Sequence, residues 1–309
     1  MAGVSESATT TAVRRRYGVP DGVALRADPR EVLACLPGYE IAVRGVAAHP
    51  DSLPPSTRRG RRPLRSLGTA LGEVLVREAR KGGLLRGVRG RWFLGQAWRP
   101  LAEFVLHRRL TALEVPVSDA VGCVILRRPY SWRGFLLLLD VAESQDLEAW
   151  LWEKRSNGDS GHDVLREVGR AIRQLHDAGV RHADLHPKNL LLTKDGRVLI
   201  LDLDRARSFD APLVEADRVA NLARLARSIT KHRLRGLRFG AKDALRFLEG
   251  YAGSREAGRQ WWPRIERRLR RGLVPRMLWW RLIGETRPRD MTDAPTSQPP
   301  PGSFVEGRA

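Results

Sequence analysis

Between residues 40 and 140 the apolar positions come in short runs separated by turn signals, the pattern of strands. "EIAVRGVA", "PLRSL" and "EVLVREA" read as three of them. In the last, Val74 and Val76 alternate with Leu75 and Arg77, and the turn "GTALG" before it predicts a hairpin over 64–79. "RPLAEFVLHRRLTAL" has a different period: Leu101, Phe104, Val105 and Leu110 keep near-helical spacing and predict one helix. "CVILRRPYSWRGFLLLLDVA" then supplies two further strands that close the sheet. Beyond a linker near "DVAESQD" the pattern becomes helical. In "DVLREVGRAIRQLHDAG", Leu165, Val168, Ile172 and Leu175 form one stripe, which Gly179 ends. The expected fold class is therefore α+β, with a small antiparallel sheet and one helix over 21–142 and a mainly helical part over 143–285. Residues 1–20, rich in Ser, Thr and Ala, and 286–309, rich in Pro, Ser and Gly, read as disordered tails.

Composition narrows the function. The 309 residues are 42% hydrophobic, enough for a real core. The longest apolar run, "GFLLLLDVA", stops at Asp140, well short of the roughly 18–20 residues that span a bilayer. The N-terminus has no apolar stretch of the kind found in secretory signals, so a cytoplasmic location is expected. Cys35 and Cys123 are far apart and form no CxxC, which excludes a disulfide framework and a cysteine zinc site. The formal charge of +20 comes from arginine, since only six of the 55 basic residues are lysine. Such an excess points to a polyanionic partner: nucleic acid, an anionic lipid surface or a phosphorylated substrate.

The chemistry concentrates in "VRHADLHPKNLLL", where a polar loop holding His182, Asp184, His186, Lys188 and Asn189 runs directly into an apolar strand. A turn at "KDG", a second strand in "RVLILDL" and the acidic pair Asp202 and Asp204 follow. A β-hairpin returns the chain to its start, so Asp184, Asn189 and Asp202 are expected at one mouth. Mg²⁺ takes oxygen ligands and is usually held by one or two protein groups together with substrate phosphates. Asn189 and Asp202 suit that task, which leaves Asp184 to accept the proton of an attacking hydroxyl.

"HADLHPKN" followed by "ILDLD" resembles the catalytic and metal-binding segments of the protein-kinase-like superfamily, in the version found in small-molecule and lipopolysaccharide kinases. "VLVREARKGGLL" and "NLARLARSITK" sharpen the resemblance to the lipopolysaccharide kinase family, closest to 3-deoxy-D-manno-octulosonic acid (Kdo) kinase, over roughly residues 55–250. The resemblance implies a bilobal protein-kinase-like fold with ATP between a small sheet lobe and a larger helical lobe. It makes Asp184 the base and Asn189 and Asp202 the metal ligands. His186 falls where small-molecule kinases often place a phosphate-contacting histidine. Arg77 takes the position of the nucleotide-binding lysine, Glu103 that of its helix partner, and Gly60 in "RRGRRPL" is the single glycine of the phosphate-covering loop. Arginine at position 77 presents a planar fork in place of a point charge. "DLD" lacks the glycine of a kinase switch, so no activation switch of that kind is expected.

The implied function is ATP- and Mg²⁺-dependent phosphorylation of a sugar hydroxyl of the lipopolysaccharide inner core, Kdo first and heptose as the alternative. The expected partners are a precursor of the Kdo-lipid A type and an anionic membrane, at the inner face of the inner membrane; nucleic acid is not an expected partner. Cationic aminoglycosides would be repelled by this surplus of base. Other readings stay open at this point. His182, Asp184 and His186 alternate and on a strand could ligate zinc. A degenerate kinase fold could bind anionic lipid or nucleic acid without transfer. Leu222, Leu225 and Ile229 predict a core helix with Arg224, Arg227 and Lys231 outward. The Trp pairs and arginines of residues 261–284 suit a helix on a membrane, a packed helix or a nucleic-acid surface.

Overall fold

The computed structural model describes residues 7–56, 64–79, 93, 98–157 and 162–282, without the side chains of 154–157, 162 and 272–282. The smaller lobe is built on six antiparallel strands: β1 (Ala24–Ala27), β2 (Glu31–Cys35), β3 (Arg65–Thr69), β4 (Gly72–Glu78), β5 (Ala120–Arg128) and β6 (Ser131–Leu139). They lie in the order β1-β2-β5-β6-β4-β3. The expected hairpin is β3–β4, with Arg65 opposite Val76 and Thr69 opposite Gly72. Helices cover both faces. Helix α2 (Glu40–Ala48) packs Val43 and Val46 onto Val74, Val76, Phe135 and Leu137, whereas α3 (Arg99–Ala112) packs Leu101 and Phe104 with Cys123, Ile125 and Leu136. With Val74 and Val76 on the α2 face, alternation puts Arg77 on the α3 face, beside its register partner Leu136.

Two segments differ from expectation. "EIAVRGVA" is helix α2 and not a strand: Ala42, Val43 and Val46 are buried while Ile41 is 88% exposed. Burial of two consecutive residues and one a turn later is a helical stripe that a pleated strand cannot produce. Residues 8–17, expected in the N-terminal tail, form helix α1 (Ala8–Tyr17). Ser7 caps it by accepting from the Thr10 amide, and Gly18 closes it in the left-handed region. The Thr10 hydroxyl donates to the Ala27 carbonyl, and Val13 is buried, so two inward residues dock a helix of otherwise polar composition. The expected tail over 286–309 lies outside the described residues.

The larger lobe begins after β6. β7 (Gln145–Asp146) joins β9 (Leu190–Leu192) and β10 (Val198–Ile200) in a small sheet. Around it lie α4 (Leu147–Asn157), α5 (His162–Asp177), α6 (Glu215–Leu234), α7 (Ala241–Ala252) and α8 (Arg255–Leu282). All four residues of the α5 stripe are buried, in one core with Leu190, Ile200, Leu222, Ile229 and Tyr251. Helices α5 and α7 touch backbone to backbone. A Cβ on Gly169 would stand 2.2 Å from the Phe247 carbonyl oxygen, and one on Gly250 would stand 2.0 Å from that of Arg166.

Candidate active site

Gly179 (φ +76) ends α5 against the carbonyls of Phe209 and Ala211, where a Cβ would come within 2.5 Å. The chain turns there into β8 (Val180–Arg181), which pairs with β11 (Arg207–Ser208), and enters the polar loop. His182 is the loop's internal strut. Its Nε2–H donates to the Leu201 carbonyl (2.9 Å) and its Nδ1 accepts the Asp184 amide (3.0 Å), so the imidazole ties the loop to the far arm of the hairpin. Burial holds its pKa down, consistent with one proton on the ring. Both ring nitrogens are spent on backbone, which removes His182 from any zinc site. Among the described residues no group of three or more His, Cys, Asp or Glu could hold a metal.

Loop and hairpin close on each other as the spacing requires. The Leu201 amide donates to the Asn189 carbonyl (2.9 Å), placing Asp202 next to Asn189. The Asn189 side-chain nitrogen donates to the Asp184 carbonyl (2.9 Å), which orients the amide and keeps its oxygen as the end that can face a cation. Asp202 has φ +57, a left-handed backbone that aspartate tolerates better than most residues. Its carboxylate accepts from Arg77 Nη1, while Arg77 Nη2 donates to buried Glu103 on α3. One guanidinium thus bridges the sheet, helix α3 and the end of the β9–β10 hairpin. Burial opposes the charge on Arg77, but the Glu103 and Asp202 carboxylates outweigh it and raise its pKa further. Arg99 at the start of α3 pairs with Asp204 in the same manner.

Asp184 is half exposed, its Oδ2 3.4 Å from His186 Nε2 and its Oδ1 2.6 Å from Arg224 Nη2. The contact with His186, and then that with Arg224, hold its carboxyl well below the usual carboxylate range. The structure therefore brings Asp184, His186 and Asn189 together on the loop, and Arg77 and Glu103 together with Asp202. Gly60 lies outside the described residues.

Three features were not readable from motif spacing. Arg224, expected to point outward, reaches the central carboxylate. Asn221, one helical turn before it, fastens the loop: its Oδ1 accepts from the His182 amide (3.1 Å) and its Nδ2 donates to the His182 carbonyl (2.8 Å). Those two backbone contacts fix the amide orientation, so Oδ1 also accepts from His176 Nε2–H (3.0 Å), and His176 Nδ1 accepts from the Tyr251 hydroxyl (2.9 Å). Glu148 on α4 sits between Lys188 (3.3 Å) and His232 (3.2 Å). The signal for Asn221 was a lone amide on the apolar side of a regular helix.

Residues 56–251, more than half of the chain, match the family model described as lipopolysaccharide kinase (Kdo/WaaP) family. A 3-deoxy-D-manno-octulosonic acid kinase of Xylella fastidiosa (strain M12) is 30% identical over 192 residues, 61% of this chain and 72% of that protein. A protein of the same name from Photobacterium damsela subsp. piscicida is 31% identical over 171 residues, 54% of this chain and 68% of the other. Among solved structures, WaaP in complex with acyl carrier protein matches with a TM-score of 0.52 and 23% identity, covering 77% of this chain and 98% of that one, a likeness of fold. The expected bilobal α+β architecture and the family resemblance carried by "HADLHPKN" and "ILDLD" agree with these matches. The chain belongs to the lipopolysaccharide kinase (Kdo/WaaP) family and is a kinase.

Proposed function

We propose that the protein transfers the γ-phosphoryl group of ATP to a hydroxyl of Kdo in the lipopolysaccharide inner core, at the inner face of the inner membrane. The supporting observation is the convergence of Asp184, Asn189 and the Arg77–Asp202 pair where the two lobes meet. Asp184 takes the proton of the acceptor hydroxyl as its oxygen bonds to phosphorus and the bond to the ADP oxygen breaks. His186, beside Asp184, takes the phosphate-contacting role that the family resemblance implies, and Arg77, kept charged by two carboxylates, serves the nucleotide. Asn189 and Asp202 would hold Mg²⁺, which when bound would supply charge neutralisation for the transferring phosphates. Two protein donors are what such a site requires when phosphates complete the shell.

The surface agrees with an anionic, membrane-borne acceptor. Along α8, Arg259, Arg264, Arg267, Arg268 and Arg271 are exposed, and Trp262 is 43% exposed. Trp261 instead turns inward onto Tyr251, so α8 is packed on the lobe along one side and offers arginine on the other. Among the described residues no helix is long and apolar enough to cross a membrane.

A second partner, an acyl carrier protein, is favoured by an apolar cavity of about 450 Å³ lined by Leu147, Leu151, Leu222, Ile229, Phe247 and Leu269, with Arg233 and Arg270 also in its lining. Its volume is in the range of ligand pockets, about 300–1,000 Å³, and suits an apolar chain. Binding of acylated over unacylated carrier protein, lost on Leu222→Trp, is the expected result.

The central test is incubation with labelled ATP, Mg²⁺ and a Kdo-bearing lipid A precursor, followed by mass analysis of the lipid. One added phosphate, absent with Asp184→Ala, is expected. Transfer retained by the purified Asp184→Ala protein would remove Asp184 from the reaction.

A further inference from the structure

The oxygen that would receive the acceptor proton is already in use. Arg224 Nη2 donates to Asp184 Oδ1 at 2.6 Å, and His186 stands 3.4 Å from Oδ2. Arg224 is held in register with the loop, because Asn221 one turn earlier on α6 fastens His182 by both its amide and its carbonyl. Yet the ion pair itself is open to solvent, with side-chain exposures of 44% and 50%. Exposed pairs of this kind are worth roughly 0–1 kcal/mol, so the guanidinium can leave readily if another oxyanion takes it. A neutral sugar has nothing to offer in exchange. An acceptor with its own carboxylate or phosphate does, and a planar fork is the side chain best suited to receive it.

We propose that Arg224 is the acceptor-selecting residue of this kinase. It pairs with Asp184 Oδ1 and passes its guanidinium to an oxyanion on the acceptor sugar when one binds, which leaves Oδ1 to accept the neighbouring hydroxyl. The proposal rests on the reading of Asp184 as the base. It also sets a distance. One guanidinium must be within reach of both groups, so hydroxyl and oxyanion lie within about two hydrogen-bond lengths, roughly 6 Å, on the same sugar or the next.

The test measures binding separately from transfer, on the full chain. Calorimetric titration compares the methyl glycoside of Kdo with its carboxamide, and the Kdo-bearing lipid A precursor with its dephosphorylated form. Wild type is expected to prefer the acid by about tenfold or more, and Arg224→Gln by less than about twofold. Arg224→Lys keeps the charge without the fork and should fall between, which separates recognition from loss of fold. Affinity lost on dephosphorylation, and not on amidation, assigns the oxyanion to phosphate. Equal binding of both members of each pair by wild type, or full discrimination retained by Arg224→Gln, overturns the proposal. Discrimination by Arg224 without transfer from ATP to any of these acceptors would instead overturn the kinase chemistry assigned to Asp184 and leave Arg224 as the oxyanion receptor.

Discussion

Replacing Asn221 by alanine isolates the joint that holds the loop of His182, Asp184 and Asn189. The side chain is 3% exposed and makes three hydrogen bonds, two to the backbone of His182 and one to His176. Truncation leaves the His182 amide, the His182 carbonyl and the His176 Nε2–H without their partner in a dry interior. Each orphaned group costs about 1–3 kcal/mol, and a water entering the space left by the amide can satisfy some of them, so the net loss is about 3–5 kcal/mol. That is a large part of a typical stability of roughly 5–15 kcal/mol, and the protein should still fold. In urea, with a slope of about 2–3 kcal/mol/M, the midpoint falls by roughly 1–2.5 M. Transfer should fall by about 100-fold or less, the scale of a loop displaced by a fraction of an ångström to one ångström. His176→Phe removes one of the three bonds, so the double mutant should lose less than the sum, by about 0.5–3 kcal/mol. A loss below about 1 kcal/mol for Asn221→Ala, with additive behaviour in the cycle, would refute the reasoning.

Arg77→Met leaves Glu103, 8% exposed, without its cation and should destabilise the protein by about 3–5 kcal/mol, read as a fall in thermal midpoint. Gly250→Ala forces a methyl group against the Arg166 carbonyl and should cost about 1–3 kcal/mol by urea unfolding; an unchanged midpoint would mean that α5 and α7 can part without penalty. Burial holds both His107 and His176 at about 4, below the usual 6.5, so the unfolded chain binds protons that the folded one does not. Stability should therefore fall as pH drops from about 6.5 to 4, by roughly 3 kcal/mol per histidine, and a flat urea midpoint between pH 7 and 4.5 would contradict it. Burial pushes Glu148 up, but His232 and Lys188 outweigh it and bring it to about 2, so its contribution is present above about 4.5 and is lost toward pH 2.

Much of this was legible wherever a period was long enough to be unambiguous. The α5 stripe and the alternation around Val74 and Val76 led to the right elements. Helix α2 was misread because nine residues with apolar side chains at 41, 42, 43 and 46 satisfy a strand template as readily as a helical one. Hairpin β1–β2 went unread although Asp28–Pro29 marks its turn, where Asp28 Oδ1 accepts from the amides of Arg30 and Glu31. In the site, residues joined by a short loop or one hairpin could be placed together. Arg224 is 40 positions from Asp184, and Asn221 is 39 from His182; only the packing of α6 against the loop brings them there.

Helix α3 is fastened along its whole length to the segment that leaves the β9–β10 hairpin. Arg99 grips Asp204 at one end, Glu103 reaches Asp202 through Arg77 in the middle, and Arg109 donates to Ser208 and Phe209 at the other end. An inhibitor that works by prising this helix away from these partners must offset the loss of a buried ion pair, about 3–5 kcal/mol, before it gains anything. That is two to three and a half orders of magnitude in affinity at about 1.4 kcal/mol per tenfold. Inhibitor discovery against this enzyme is therefore better directed at compounds that leave helix α3 in place than at compounds that require it to be displaced.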